Sequence, residues 1–430
     1  MYGIICGKFI DGTGNKVKTN VCLYVDGDRI VNISNKKLYK NINYIDASNM
    51  TVLPGLIDAH KHILNCGGSG MGVGLSLRTI HSNLKKMQQS GVTSLLDLGS
   101  AYFLPPLERL LNPKIRIFNA ISIITCPGGY PAEYMPKKFY SLGAVTECDS
   151  FESIYTTVKK LYKKGVSCIK TAVVSKSFTG NPINSWSIPM LKYLVDVSHS
   201  FGLKVCAHVT YACDYEKSAI CGIDSVHHAA FDDIVKDDIL NLMVEKDMQL
   251  VPTISLSHMM FAGLEEKWIY NSDFQSSLHN PLKKNLLKFT NDYFACDDSA
   301  PIGDLFINIP KKDFLKVPDM QFENLKKFIR LGGNIAMGTD SALGFTLHET
   351  PIWELKLLHS AGLSIEKTIS AATYQSAKVF GKENELGSLS IGKKADIIII
   401  NGDLFADISN IVNICAIIVD GKFIKRMKNF

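Results

Sequence analysis

Between residues 52 and 340, eight short apolar segments alternate with longer stretches of helical periodicity, and this repeat constrains the fold more than any other feature. The segments lie at 52–59, 92–98, 115–121, 166–172, 203–208, 223–228, 248–254 and 334–340. Amphipathic stretches at 77–90, 151–164, 187–201, 212–221, 236–246 and 321–331 separate them. Strands that read as continuous apolar runs are buried on both faces, and helices are what cover a parallel sheet. Eight such units are the number that closes a (β/α)8 TIM barrel, whose functional groups gather at the C-terminal ends of its strands. The expected class is therefore α/β. Two connections, 122–150 and 255–320, are too long for turns and are expected to form loops or lids.

The two ends of the chain have a different texture. Residues 1–56 carry short β-rich runs separated by Asp11-Gly12 and Asp26-Gly27, and residues 385–430 repeat the pattern, with Asp420-Gly421 before Phe423-Ile424. They are expected to pair as one small β-sandwich domain around a barrel domain at 57–384. Hydrophobic content of 46% and charged content of 20% fit a folded globular chain of 430 residues. The net charge of +6 is spread in small groups such as Lys137-Lys138 and Lys283-Lys284, which leaves no nucleic-acid footprint. No apolar run reaches membrane-spanning length, and the first residues lack a secretory pattern. Eleven cysteines without a Cys-x-x-Cys pair fit reduced thiols, and hence a cytoplasmic location, better than a disulfide framework.

The chemistry is concentrated at the predicted strand ends. The stretch TVLPGLIDAHKHI carries His60 and His62 two residues apart, and residues two apart on a strand share a face. Strand four carries Lys170, strand five His208, strand six His228 and strand eight Asp340. At one barrel mouth these residues become neighbours, and neutral imidazole with carboxylate is a ligand set suited to a catalytic divalent metal. By the same alternation, His227 is expected to point away from His228 and to play a structural or supporting part.

The chain resembles the amidohydrolase superfamily over essentially its full length. PGLIDAHKH is similar to that family's first-strand signature, HVTYACDYEKSAICGIDSVHHA to its strand-five to strand-six unit, and MGTDS to its strand-eight aspartate. ELGSLSIGKKADIIII is similar to the segment that returns the chain to the terminal strands. Within the superfamily the chain looks most like the prolidase and imidazolonepropionase group. The resemblance implies a metal site of His60, His62, Lys170, His208, His228 and Asp340. It also implies two zinc ions bridged by a carbamylated Lys170, or one metal where that lysine plays no part. A metal-bound hydroxide would attack the carbonyl of an amide-like C–N bond, with Asp340 as the proton-transferring catalytic residue. His227 is a departure, since many relatives carry Glu there.

Dipeptides, N-acyl amino acids and cyclic amides are the small-molecule substrates that this resemblance implies. Tyr130, Tyr211 and Arg78 are candidates to bind them, and Tyr130 stands in Gly-Gly-Tyr where relatives commonly carry Gly-Gly-His. His258 and His348 are within reach of the expected mouth, whereas His81, His199, His279 and His359 read as ordinary histidines. The same metal centre would serve a lactonase, an organophosphate hydrolase or a deaminase, and a non-catalytic scaffold would be expected to lack metal ligands. Nothing points to a nucleic-acid or membrane partner. A homo-oligomer is compatible with apolar helical faces, but no segment specifies an interface.

Overall fold

The computed structural model describes residues 1–64, 77–100, 102, 114–132, 137–177, 180–260, 316–341 and 351–426. Strands β1 (Tyr2–Phe9), β2 (Lys18–Asp26), β3 (Arg29–Ser34) and β4 (Asn43–Pro54) come first. Then follow β5 (Leu56–Lys61), β6 (Val92–Asp97), β7 (Arg116–Asn119), β8 (Ile123–Thr125) and β9 (Val145–Glu147). The next group is β10 (Cys168–Ala172), β11 (Lys204–His208), β12 (Ser225–His227), β13 (Gln249–Val251) and β14 (Asn334–Ile335). The chain closes with β15 (Ile397–Ile400), β16 (Ile414–Val419) and β17 (Lys422–Arg426).

The terminal strands pair across the whole length of the chain. Their order is β17-β16-β15-β4-β1-β2-β3, and the join is the antiparallel register of Ile397–Ile400 on Pro54–Thr51. The expected sandwich thus takes the form of one mixed seven-stranded sheet. β15 reads Ile-Ile-Ile-Ile because both of its faces are buried. Ile398 and Ile400 pack on the barrel's helices, whereas Ile397 and Ile399 pack with Ile4, Leu23 and Ile418.

The central strands form two parallel arcs, β5-β6-β7 and β9-β8-β10-β11-β12-β13-β14. Ser167 N–H donates to the Asn119 carbonyl at 2.8 Å and Ala59 N–H to the Met337 carbonyl at 2.9 Å, which joins the arcs into a TIM-barrel-like ring. Alternation sorts the side chains. On β10, Cys168 packs inside with Cys206, Val251 and Ala336, while Ile169 joins the outer core, as does Val173 just past the strand. Phe380 and Leu386 pack against the same inner cluster. The 122–150 connection contains β8 and β9, so it extends the sheet. Of the 255–320 connection, the described part is the end of the helix Ile254–Met260 and the start of the helix Val317–Arg330.

Local signals set the helix boundaries. Phe151–Lys163 starts at Ser150, whose hydroxyl accepts from Ser153 N–H in a reciprocal cap, and it buries Ile154, Thr157, Val158 and Leu161 at helical spacing. Ala212–Cys221 ends at Gly222, whose φ of 82° is the left-handed conformation that glycine adopts without a Cβ penalty.

The barrel and the terminal sheet are clamped by ions. Arg116 at the start of β7 holds Asp396 through both guanidinium Nη atoms and reaches Asp420 at 2.5 Å. Asp396 is nearly buried, so removing the arginine would leave a desolvated carboxylate. We predict that Arg116→Ala lowers unfolding free energy by about 3 kcal/mol, measured from denaturant midpoints. A change within about 0.5 kcal/mol would show the pair to be energetically a surface pair.

Candidate metal centre

Each strand-end residue reaches the barrel mouth by a local device. On β11, Cys206 and His208 alternate inward, and the register sets Lys170 of β10 beside Cys206, one rung below His208. His228 and Asp340 lie just past their strands at φ of 78° and 45°, conformations uncommon for residues other than glycine. Those turns aim the two side chains back over the mouth. Gly338 is needed where β14 runs on past β5, because a Cβ there would lie 2.7 Å from His60 Cβ and 2.4 Å from Val251 Cγ1.

Among the described residues His60, His228 and Asp340 bring ligand atoms within 4.8 Å of one another, all buried. Asp340 Oδ1 lies 3.7 Å from His60 Nε2 and 3.6 Å from His62 Nε2. The His208 and His228 ring centroids are 4.3 Å apart, and those of His60 and His228 are 5.0 Å apart. The far nitrogens of three rings are tied down. His62 Nδ1 meets the Gly99 carbonyl at 3.0 Å, His228 Nδ1 meets Thr253 Oγ1 at 2.7 Å, and His60 Nδ1 meets His227 Nδ1 at 3.0 Å. This leaves the Nε2 edges turned into one pocket.

Four buried atoms there have no hydrogen-bond partner: Lys170 Nζ, His208 Nε2, His228 Nε2 and Asp340 Oδ1. Buried polar atoms are ordinarily satisfied, so the three orphan acceptors, His208 Nε2, His228 Nε2 and Asp340 Oδ1, fit a divalent cation. Burial holds His60, His208 and His228 well below their ordinary value, with the charge of Lys170 adding to the effect, so the rings are neutral at pH 7. Burial also drives Lys170 down to about 8 and Asp340 up to about 6, in each case toward the uncharged form.

The predicted substrate residues are placed differently from one another. Tyr130 stacks on the His208 ring with centroids 4.1 Å apart and planes 14° apart. It belongs to an apolar cluster with Tyr211, Ile183 and Phe231. The Tyr211 hydroxyl is committed to the Ser177 carbonyl, so this residue offers its ring to the cluster. Arg78 is exposed on the first turn of the helix Leu77–Gln89 and is not drawn into the histidine cluster. His258 is half-buried on the helix after β13. His81 is exposed, His199 pairs with Asp224 at 2.7 Å, and His359 bonds the Leu363 carbonyl at 2.7 Å. His279 and His348 lie outside the described residues.

The expected direction of the His227 side chain is corrected. Alternation from Ser225 turns His227 inward, and the left-handed turn at His228 brings the next ring to the same side. Both rings therefore contact His60, at 4.8 and 5.0 Å between centroids.

Several supporting groups escaped the sequence reading. Asp97 at the end of β6 is fully buried and accepts from Ile63 N–H, Gly99 N–H and Ser100 Oγ–H, which shapes the turn presenting the Gly99 carbonyl. Asp58 accepts from His60 N–H and Thr339 N–H at 3.2 and 3.0 Å, and from the Thr339 hydroxyl at 2.7 Å. Lys61 reaches the same carboxylate at 3.3 Å and also Ser341. An Asp two residues before the histidine pair was the available signal for Asp58. Glu354 had none: it arrives from the helix Pro351–Ser360 and accepts Ile254 N–H and Ser255 N–H, fixing the turn that carries Thr253.

Comparison with known proteins identifies the family and the fold. The model of the amidohydrolase family matches residues 51–424. An imidazolonepropionase of Alkaliphilus oremlandii is 24% identical over 396 residues, covering 87% of this chain and 82% of its own. A solved Xaa-Pro dipeptidase with bound methionine superposes with a TM-score of 0.77 at 24% identity, over 99% of both chains. A prolidase complexed with N-methylphosphonate-L-proline gives 0.75 at 18% identity, over 99% of this chain and all of its own.

Glu354 yields a pH test. Burial pushes its carboxyl from 4.5 up to about 7, so the folded chain keeps this proton to higher pH than the unfolded chain does. Its stabilising contribution is complete below pH 4.5 and is lost as pH rises through about 7. Glu354→Gln should therefore gain about 3 kcal/mol relative to the parent between pH 4.5 and 7.5, at 1.36 kcal/mol per pH unit, read from denaturant melts. A stability difference that does not move with pH would rule this out.

Proposed function

The chain belongs to the amidohydrolase family, and from that premise we propose that it is a metal-dependent hydrolase of an amide-like C–N bond in a small molecule. The observation that carries this reading is the convergence of His60, His228 and Asp340 within 4.8 Å, beside buried and unpartnered Lys170 Nζ and His208 Nε2. The names of the similar imidazolonepropionase and Xaa-Pro dipeptidase favour a carbon–nitrogen bond as the target.

In this reading His60, His62, Lys170, His208, His228 and Asp340 would hold two zinc ions, with Lys170 in its carbamylated form among the ligands. When bound, the metal supplies Lewis-acid polarisation of a carbonyl oxygen and lowers the pKa of a coordinated water. An amine near 8 is about one-tenth neutral at pH 7, and the neutral amine is the form that adds CO2. Addition forms the N–C bond and releases one proton, and the resulting carbamate is an anion whose buried charge a dication would offset. Asp340 Oδ1 takes the proton from the attacking water and returns it to the departing nitrogen, which leaves poorly without one. A bound cation shifts Asp340 toward carboxylate, the form that accepts a proton first. Tyr130, stacked on His208, keeps water from one side of the pocket, and its apolar cluster with Tyr211 and Phe231 suits an apolar substrate group. Arg78, on the exposed first turn of its helix, remains the candidate partner for a substrate carboxylate.

Elemental analysis of protein purified in bicarbonate buffer without chelator should give about two divalent ions per chain, falling in Lys170→Ala. About one ion in the parent would remove the Lys170 bridge. No bound metal, together with no turnover of dipeptides, N-acyl amino acids or cyclic amides, would overturn the reading. Asp340→Asn should retain most of the metal while kcat falls by about 10² to 10⁴. Turnover near that of the parent would exclude Asp340 as the proton carrier.

A further inference from the structure

We infer that His227 decides which nitrogen of His60 carries its proton, by accepting a hydrogen bond from His60 Nδ1–H and so leaving the Nε2 lone pair to the metal site. This inference rests on reading the cluster as a metal centre, and it concerns a residue outside the proposed ligand set.

Both rings are fully buried and their Nδ1 atoms are 3.0 Å apart. At that distance two bare lone pairs repel and two N–H groups collide, so one proton lies on the axis between them. As neutral imidazoles, the form in which a ring can ligate a metal, each carries a single proton. Two arrangements satisfy these conditions. In one, His60 Nδ1–H donates to His227 Nδ1, and His60 Nε2 keeps its lone pair toward Asp340. In the other, His227 Nδ1–H donates, His60 carries its proton on Nε2, and that N–H points into the pocket where a cation would sit.

The neighbourhood of His227 selects between them. Its Nε2 lies 3.0 Å from Ser225 Oγ, and the Ser225 hydroxyl also hydrogen-bonds the Cys206 thiol. With Ser225 donating to Cys206, its oxygen is left to accept His227 Nε2–H, which leaves His227 Nδ1 as an acceptor. The hydrogen bonds then run in one direction, from His60 through His227 and Ser225 to Cys206, and every donor is satisfied. The Cys206 thiol donates to the Val379 carbonyl at 4.0 Å, so in the opposite arrangement, with the Ser225 hydroxyl turned to His227 Nε2, the contact between Ser225 and Cys206 has no proton. His227 is thus a positioning residue for His60, and neither proton arrangement changes the net charge of the pair.

The test is zinc affinity of the metal-free protein, measured by competition with a chromophoric chelator. His227→Leu removes the acceptor and should weaken zinc binding by about 10- to 100-fold. His227→Gln, whose amide oxygen accepts the same hydrogen bond, should keep most of it. Unchanged affinity in the leucine variant, or equal losses in both variants, would overturn the inference. Should the leucine variant fail to fold, ring-nitrogen NMR of the zinc-loaded parent with labelled histidines decides. The expected signature is a His227 proton on Nε2, and a proton on His227 Nδ1 would overturn the inference. A parent protein that binds no zinc overturns both this inference and the metal-centre reading, whereas zinc binding that ignores the acceptor overturns this one alone.

Discussion

The Asp58 carboxylate is the fixed point on which the mouth of the barrel depends. It lies where the ring of strands closes, and it collects two backbone N–H groups, one from strand one at His60 and one from beyond strand eight at Thr339. Lys61 supplies the compensating charge and ties the same corner to Ser341. Breaking that corner would strand a buried carboxylate and a buried ammonium together, which is far costlier than losing a hydrogen bond at the surface. Asp340 N–H then donates to the His60 carbonyl at 2.8 Å, so the two residues most central to the pocket share one backbone link. The orientation of the histidine pair and of the aspartate is therefore one structural decision.

How much of this was legible in the chain follows from how local each signal is. The eight strand segments could be read because burial on both faces writes an apolar run, and each run maps onto an observed strand, although strand eight is extended only at Asn334–Ile335. The meeting of the two chain ends could be read as two similar β-rich textures, but the single mixed sheet could not, because the register between Ile397 and Pro54 spans the barrel between them. His60, His208 and Lys170 were readable as strand-borne side chains. His227 was misjudged because alternation holds only while the backbone stays extended, and φ at His228 is +78°. Asp97, Glu354 and Thr253 left no pattern, since their partners lie on other elements brought close only by the closed ring.

The second layer of contacts gives the pocket its chemical direction. A neutral imidazole presents a donor on one edge and a lone pair on the other, and its partner determines which edge faces where. Gly99 holds His62 and Thr253 holds His228 by their Nδ1 edges. Glu354 extends the support one step further, since the turn bearing Thr253 hangs from its carboxyl. These groups come from the loops after strands two and seven and from the helix Pro351–Ser360. Strand ends supply the candidate ligands, and neighbouring loops supply their orientation.

Burial explains why such an arrangement suits a cation. Each ionisable group named in the pocket with a resolved shift is pushed toward its neutral form: His60, His208 and His228 stay deprotonated, Lys170 is lowered and Asp340 is raised. Desolvation makes charge expensive there, and lone pairs that face one another without a donor gain nothing from water. A bound dication would relieve the penalty on the Asp340 carboxylate and on the facing lone pairs together. It accepts the lone pairs, favours the Asp340 carboxylate and repels the proton of Lys170. Occupation of the pocket is therefore coupled to release of protons. The strained turns at His228 and Asp340 are sustained by the same rigid frame, which holds the ligand atoms together while the backbone between elements bears the conformational cost.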